Sequence, residues 1–198
     1  MRYFLLSLST LITFNACHTD KSKEKKTPTE NLIVESNIEK EETQETDSII
    51  IDSNYTFEEA IEGTNAPKEV IDELELLNVR YISTDNKLHQ GQIITNKQIA
   101  KDIKELFQLM LEQGFVIEKA ISYSFHAKGR AIDINPHFNP LRWKTENRPN
   151  QPYGAVLDTT VNGTLHPKHP IVKEFKKRGF RWGHYFSKFW DDHHFDKK

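Results

Sequence analysis

Aromatic residues are distributed very unevenly along this chain of 198 residues, and this limits which part of it can fold around a core. Of the 21 aromatic residues, three lie in the first fourteen positions and 18 lie at or beyond Tyr55, with none between Phe14 and Tyr55. A segment without aromatic residues buries too little apolar surface to offset the entropy that it loses on folding. The sequence therefore predicts one folded domain over residues 55–198, a length typical of a single domain.

Within this domain, the apolar residues follow both helical and strand-like spacings. The helical spacing predicts helices over residues 66–77, over 97–113 and from Pro170 to Gly179. Short apolar runs bounded by turn residues predict strands at residues 79–82, 92–95, 115–117, 130–134 and 180–182. Residues 135–169 are rich in proline and glycine and predict a long surface loop. The domain is therefore predicted to mix α and β structure.

The first seventeen residues resemble a bacterial lipoprotein signal. Arg2 precedes an apolar run from Tyr3 to Phe14, and Asn15-Ala16-Cys17 follow. A positive start, a short apolar stretch and a small residue before the cleavage point are typical of a secretory signal. The resemblance implies a signal peptide over residues 1–16 and a lipidated Cys17. The alternative is an ordinary cleaved signal with an incidental cysteine.

The segment that follows the signal is predicted to be a flexible acidic tether over residues 17–54, with Cys17 at its start. Residues 18–54 hold ten acidic residues and five lysines. As a flexible coil, this length has a typical span of roughly 35 Å. Because no apolar run reaches about 20 residues, membrane contact is expected only through the lipid anchor. The expected location is the bacterial cell envelope, on the membrane and facing the periplasm.

Charge and cysteine content exclude several classes of protein. The formal net charge is −2, whereas a protein that binds nucleic acid through phosphate contacts carries a basic excess. The single cysteine excludes an intramolecular disulfide and any site built from several thiolates. A metal site in this domain must therefore use histidine and carboxylate ligands. No nucleic-acid partner is expected, and the domain is predicted to be a monomer.

Histidine and aspartate residues cluster in two places near the C-terminus. His126 precedes a glycine-containing turn, and Asp133 lies on the strand predicted after it. The second cluster is the run Asp191-Asp192-His193-His194-Phe195-Asp196. Two imidazoles and one carboxylate around an open position are typical of a catalytic zinc site. From spacing alone, the alternative is a polar surface cluster at the end of the chain.

These two motifs resemble those of the zinc D-alanyl-D-alanine carboxypeptidases, a family that includes L-alanyl-D-glutamate endopeptidases and shares its fold with the hedgehog domain. The first motif is the run Ser124 to Pro136, with His126, Gly129, Ala131 and Asp133 in register, and the last is the acid-x-x-His-Phe ending at Phe195. The run Gly179 to Gly183 also fits. The resemblance covers most of residues 70–198. It implies an α+β single domain, with a small antiparallel sheet and flanking helices.

The resemblance also implies roles for individual residues. His126, Asp133 and His194 are predicted to bind Zn²⁺, and Asp191 is predicted to be the general base. A zinc ion with three protein ligands activates a water, and a neighbouring carboxylate accepts its proton. His193 is the alternative to His194, because adjacent residues of an extended segment point to opposite faces and only one of them is expected to coordinate.

The chain departs from the family pattern at three positions. No arginine lies between Ile117 and His126, where active members carry one that stabilises the reacting carbonyl. His184 stands where many members have a second glycine, and Asp196 stands where glutamate is common. The arginines that can substitute from elsewhere are Arg142, Arg148 and Arg181.

The sequence thus predicts a zinc-dependent peptidase that hydrolyses peptidoglycan stem peptides, of the D-Ala-D-Ala carboxypeptidase or the L-Ala-D-Glu endopeptidase type. The alternative from another class is a catalytically impaired, metal-containing module that binds peptidoglycan. A third hypothesis is a hydrolase of another exported peptide. Because the last predicted ligand lies four residues from the end, removal of His194 to Lys198 is expected to abolish zinc binding while leaving much of the fold.

Overall fold

Eight strands and four α-helices make up the regular structure of the described residues, 48–119 and 128–198, in a computed structural model of the chain. The strands are β1 (Ile50–Ile51), β2 (Leu74–Ile82), β3 (Leu88–Asn96), β4 (Ala131–Asp133), β5 (Leu141–Trp143), β6 (Arg181–Trp182), β7 (Phe189–Asp191) and β8 (His194–Asp196). The helices are α1 (Phe57–Ala60), α2 (Lys68–Ile71), α3 (Lys97–Glu112) and α4 (Pro170–Lys177). A 3₁₀ turn, Gly183–Tyr185, follows β6.

Helix α3 supplies the largest part of the core. The Asn96 side chain accepts a hydrogen bond from the Gln98 amide and caps the first turn. The chain leaves the helix at Gly114, whose φ of 61° is the left-handed conformation that glycine adopts without strain. The buried face carries Ile99, Ala100, Ile103, Leu106, Phe107 and Met110. The predicted helix over residues 97–113 is therefore confirmed, with its cap and its end.

Strands β2 and β3 form a long antiparallel hairpin that packs against α3. The prediction of a helix over residues 66–77 is wrong beyond its first turn, because Leu74 begins β2 and only α2 is helical. Leu74, Val79 and Tyr81 are buried on this strand. All nine residues of β2 pair with β3, and this pairing stabilises a strand from Leu74 onward although the apolar residues here have helical spacing.

Strand β1 lies within the segment predicted to be the tether. Ile50 and Ile51 pair in parallel with His89 and Gln90 of β3, so the folded part includes residues before 55. The next residue, Asp52, accepts hydrogen bonds from the Tyr81 hydroxyl and from His89 Nδ1, at 3.0 Å in the latter case. Experiments on this protein therefore call for the full chain and not for a fragment that begins at residue 55.

His89 makes the attachment of β1 dependent on pH. Its Nδ1 contacts Asp52, and its Nε2 lies 3.1 Å from Asp85 Oδ1, so both ring nitrogens donate only when the imidazole is charged. Burial lowers the pKa of His89, but the hydrogen bonds to Asp52 and Asp85 outweigh burial and raise the pKa above its ordinary value of 6.5. The stabilisation is therefore complete below the unfolded-state pKa and is lost as the pH rises through the higher pKa of the folded state.

Asp52→Asn tests this dependence. At about pH 6, the variant is expected to lower the free energy of unfolding by about 1–2 kcal/mol, because it removes a charge-assisted hydrogen bond. At about pH 9, the difference in unfolding free energy from wild type is expected to shrink, because neutral His89 no longer makes a charge-assisted hydrogen bond to the Asp52 carboxylate. Urea unfolding of the full chain at both pH values measures it. A difference that does not change with pH would show that His89 stays in one charge state.

The second sheet has the order β4-β8-β6, with both pairings antiparallel. Its central strand is the last one, and Phe195 of β8 is completely buried, stacked on Phe175 of α4 at 4.0 Å between ring centroids. In contrast to the expectation from the sequence, removal of His194 to Lys198 is therefore expected to destabilise the fold. That deletion takes away the middle strand of a sheet and a core aromatic residue.

The predicted loop over residues 135–169 contains one strand. Within it, β5 pairs with β7 in a two-stranded antiparallel ribbon, with Leu141 opposite Asp191 and Arg142 opposite Trp190. A three-residue strand is too short to show a period in the sequence, and its partner lies far along the chain. This ribbon positions Asp191, the predicted general base, because Asp191 is the last residue of β7.

The predicted α+β fold is confirmed. The described residues lie in one compact unit, and mixed helices and small sheets share a single core. The sheets are three in number in this part of the chain, and β1 adds a parallel pairing to the antiparallel ones. No helix in residues 48–119 and 128–198 has the length and apolar composition needed to cross a membrane.

Candidate active site

Asp133 and His194 form the centre of the candidate site. Asp133 ends β4, His194 begins β8, and the two are direct partners in the antiparallel pairing. Asp133 Oδ1 lies 3.1 Å from His194 Nδ1. Ile132 and Phe195, their neighbours along each strand, are buried in the core, so the alternation of side chains directs the aspartate and the histidine to the opposite face. The sheet thus pairs an imidazole and a carboxylate on one face.

Asp191 reaches the same place from β7. Its side chain is only 13% exposed, and its Oδ1 lies 3.0 Å from His193 Nε2. That approach lacks hydrogen-bond geometry, and Asp191 Oδ1 is buried with no hydrogen-bond partner among the described residues. Burial raises the pKa of the Asp191 carboxyl, with Asp133 and Asp192 adding to the rise and His193 and His194 opposing it. A buried carboxylate with an uncommitted oxygen is suited to accept a proton.

His193 does not lie on an extended segment, in contrast to the prediction from the sequence. Asp192 and His193 form the two-residue turn between β7 and β8, so strict alternation does not separate the two imidazoles. His193 Nδ1 donates to the carbonyl of Asn139 at 2.8 Å, and its Nε2 lies 3.9 Å from Asp133 Oδ2. Both histidines therefore approach Asp133, with His194 the nearer, and His193 remains an alternative ligand.

Gly183 allows the end of β7 at Asp191 to approach the start of β8 at His194. A Cβ atom at this position would lie 2.6 Å from the Asp191 carbonyl oxygen, 2.7 Å from the Asp191 Cβ and 3.2 Å from the His194 Cβ. Two of these distances are shorter than real Cβ contacts, and one involves the backbone, so a side chain here must push Asp191 away. The glycine is needed for space and not for its backbone angles, because its φ is not positive.

Gly183→Ala is expected to lower hydrolytic activity by about a hundredfold, because a shift of about 1 Å in a catalytic group has that effect. Overpacking is expected to lower the free energy of unfolding by about 1–3 kcal/mol. Assays of peptide hydrolysis and urea unfolding measure the two effects. Gly154→Ala is the matched control: its added Cβ meets nothing within 4 Å, although its φ is 81°. It is expected to cost stability alone, and wild-type activity in Gly183→Ala would contradict the packing argument.

A buried cluster of charged and polar side chains lies at the turn between β7 and β8, and the sequence did not predict it. Asp192 is 1% exposed and accepts from Arg142 Nε at 2.8 Å, while His184 Nδ1 lies 2.6 Å from its other oxygen. The Trp182 indole donates to the Asp192 carbonyl at 2.8 Å. The available signal was His184 itself, which replaces a common glycine of the family and lies beside a second aspartate in the turn.

The three arginines considered as substitutes lie in different places. Arg142 faces Trp190, with its guanidinium carbon 4.9 Å from that ring, so it projects from the face of the ribbon opposite to Asp191. Arg148 is held by Glu146 at 2.6 Å. Arg181 lies on β6 opposite Asp196, on the same face of the sheet as His194. Of the three, only Arg181 shares a face with the predicted ligands.

Two predicted site residues lie outside the described residues: the ligand His126 and the lipidated Cys17. Within residues 48–119 and 128–198, no group of three or more His, Cys, Asp or Glu side chains is arranged to hold a metal ion. The part of the predicted set that is described consists of Asp133, His194 and Asp191, and these three lie together.

The described donors fit a zinc ion in their chemistry. Imidazole nitrogen and carboxylate oxygen are ordinary zinc ligands, and His194 Nδ1 and Asp133 Oδ1 lie 3.1 Å apart on one face of the sheet. His194 Nε2 lies 3.7 Å from Asp196 Oδ2, a carboxylate of the kind that orients a ligand histidine through its second nitrogen. Asp191 Oδ1, which is buried without a hydrogen-bond partner among the described residues, is a third observation that fits a zinc site.

Comparison with known proteins gave a match over the part of the chain that contains the candidate site. Neither curated proteins nor solved structures gave a match. A sequence model of the family described as D-alanyl-D-alanine carboxypeptidase matches residues 118–197, a range that contains β4 to β8 and all of the described candidate site. The match supports the resemblance found in the motifs, and over residues 118–197 this chain is similar to the D-alanyl-D-alanine carboxypeptidase family.

Proposed function

We propose that this protein is a zinc-dependent peptidase that hydrolyses peptidoglycan stem peptides, of the D-Ala-D-Ala carboxypeptidase or the L-Ala-D-Glu endopeptidase type. The observation that carries the proposal is the meeting of Asp191, from β7, with the Asp133–His194 pair of the second sheet. Metal-assisted hydrolysis uses a carboxylate that can accept a proton beside the metal ligands, and Asp191 has one oxygen without a hydrogen-bond partner beside the Asp133–His194 pair. The family match supports the peptidase part of the proposal.

In the proposed mechanism, Asp133, His194 and His126 hold the ion. When bound, Zn²⁺ supplies Lewis-acid polarisation of the scissile carbonyl and lowers the pKa of the attacking water. Asp191 accepts a proton from that water at Oδ1, the atom without a hydrogen-bond partner in the described residues. It then gives the proton to the leaving amine, as a general acid. Burial raises the pKa of the Asp191 carboxyl, which makes it a stronger proton acceptor.

The proposed location follows from the N-terminal sequence. Cys17 in a lipoprotein-type signal would anchor the chain to a bacterial membrane through lipid, and the segment after it would hold the domain near the cell wall. The substrate would be a peptidoglycan peptide, with no nucleic-acid partner, and the domain would act as a monomer. Because β1 lies within this segment, the free length of the tether would end before Ile50.

The test uses the purified full chain, with metal analysis and incubation with muropeptides of defined sequence. We expect one equivalent of zinc and the release of either terminal D-Ala or an L-Ala-terminated fragment. His126→Ala is expected to remove zinc and activity together. Glu146→Gln, on the loop after β5, serves as the control for a surface carboxylate. Absence of zinc from the wild-type protein would overturn the proposal.

A peptidoglycan-binding module is the second candidate function. It is favoured by the arginines: no arginine lies between Ile117 and His126, and Arg142, Arg148 and Arg181 are each paired with a carboxylate. Loss of a cation at the developing oxyanion lowers the rate by about two to three orders of magnitude. Wild-type protein that binds zinc and sacculi, but releases no product from muropeptides, would favour this function over the peptidase.

A further inference from the structure

Arg181 stands on the ligand face of the second sheet, two positions along from the candidate metal ligands. In the β6–β8 pairing it lies opposite Asp196, and Asp196 shares a face of β8 with His194. Its neighbour Trp182 is buried on the core side. The offset from His194 along the strand is roughly 6–7 Å, about the length of two extended residues.

The guanidinium group of Arg181 is fixed in place with one edge open. Its Nε donates to Asp196 Oδ1 at 2.7 Å and its Nη2 donates to Oδ2. Its central carbon lies 5.9 Å from the centre of the Phe186 ring, which is 5.8 Å from the His194 ring. The side chain is 51% exposed, and its Nη1 has no hydrogen-bond partner in the described part of the chain. Asp196 and Phe186 thus hold a cation beside the site at little entropic cost on binding.

The open edge of this guanidinium suits a carboxylate. Arginine binds carboxylates through planar, charge-assisted hydrogen bonds, and a half-exposed pair retains donors for a second anion. For both bonds considered under the proposed function, the residue whose amino group leaves can carry a free carboxylate. A terminal D-Ala that leaves carries its own carboxylate, and a D-Glu that leaves carries an α-carboxylate when the chain continues through its side chain.

We propose that Arg181 binds the free carboxylate of the residue whose amino group leaves on cleavage, and so selects stem peptides that carry this group. This inference rests on the proposed function. Arg181 would be a substrate-binding residue, and its selectivity would appear as a preference for a carboxylate over the matching amide. The residue lies outside the predicted ligand and base set.

The test measures binding, so that it does not depend on catalysis. In full-length protein with Asp191→Asn, calorimetry compares a stem peptide ending in D-Ala-D-Ala with its C-terminal amide. With Arg181 present, the carboxylate peptide is expected to bind about 10–100-fold more tightly than the amide, as expected for a hydrogen bond to a charged group. Arg181→Gln is expected to abolish this preference, and Arg148→Gln is expected to keep it. Equal binding of both peptides to the protein that retains Arg181 overturns the inference.

A second variant separates recognition from simple neutralisation of Asp196. Arg181→Gln combined with Asp196→Asn leaves no unpaired carboxylate on β6–β8, and the carboxylate preference is still expected to be absent. A preference that returns in the double variant would mean that Arg181 only neutralises Asp196, and would overturn the inference. Failure of the protein with native Asp191 to cleave either peptide would reject the proposed function, whereas cleavage of both at equal kcat/KM would reject this inference alone.

Discussion

Asp191→Asn is expected to lower kcat for stem-peptide hydrolysis by at least about a hundredfold while zinc remains bound. General acid–base catalysis contributes about 10²–10⁴-fold, and Asn cannot carry the proton. The amide has nearly the same shape as the carboxylate, and Asp191 is not among the predicted ligands, so Asp133 and His194 keep their positions. Steady-state kinetics and metal analysis on the same preparation give the two measurements.

The same substitution is not expected to destabilise the fold. The Asp191 carboxylate is largely buried, and one of its oxygens has no hydrogen-bond partner among the described residues, so its charge costs folding free energy. A neutral amide removes this cost, as substitutions of catalytic groups often do. Asp158→Asn, on an exposed loop, controls for the chemistry of the change. Hydrolysis at the wild-type rate by Asp191→Asn would assign the base to another residue.

The parts of this fold that could be predicted are those fixed by local signals. Helix α3 has a cap at Asn96, a regular apolar face and a glycine after its end, so each local feature indicates the same element. The strand predicted at residues 130–134 is present as β4, with buried Ile132 between the less buried Ala131 and Asp133. The roles assigned to Asp133, His194 and Asp191 came from the family motifs and remain predictions.

The parts that could not be predicted depend on pairing between distant segments. Leu74 and Leu77 fit a helical spacing, but β2 finds a nine-residue partner in β3. The absence of aromatic residues before Tyr55 places Ile50 and Ile51 in the predicted tether, yet they add to the edge of that sheet. Alternation along an extended strand predicts that only one of His193 and His194 coordinates, but His193 lies in a turn that is defined by the pairing of β7 with β5 and of β8 with β4.

Asp192→Asn is expected to show the opposite pattern to the change at Asp191: loss of stability first, and loss of activity as a consequence. Asp192 accepts from Arg142 through one oxygen and faces His184 with the other, at 2.8 and 2.6 Å. An amide offers only one accepting oxygen, so one of the two partners meets an N–H donor in a buried place. Breaking a buried ion pair typically costs about 3–5 kcal/mol.

The expected loss for Asp192→Asn is about 3 kcal/mol in the free energy of unfolding, because Arg142 is partly exposed and regains some hydration. Urea unfolding measures the loss, and the double variant with Arg142→Met is expected to lose less than the sum of the single changes. Because Asp192 begins the turn between β7, which ends at the proposed base, and β8, which begins at a proposed ligand, the folded fraction of the variant is also expected to have a lower kcat. Unchanged stability would show that Arg142 and His184 do not hold the turn, and the position of Asp191 would then depend on its pairing with β5 and on its contact with Gly183.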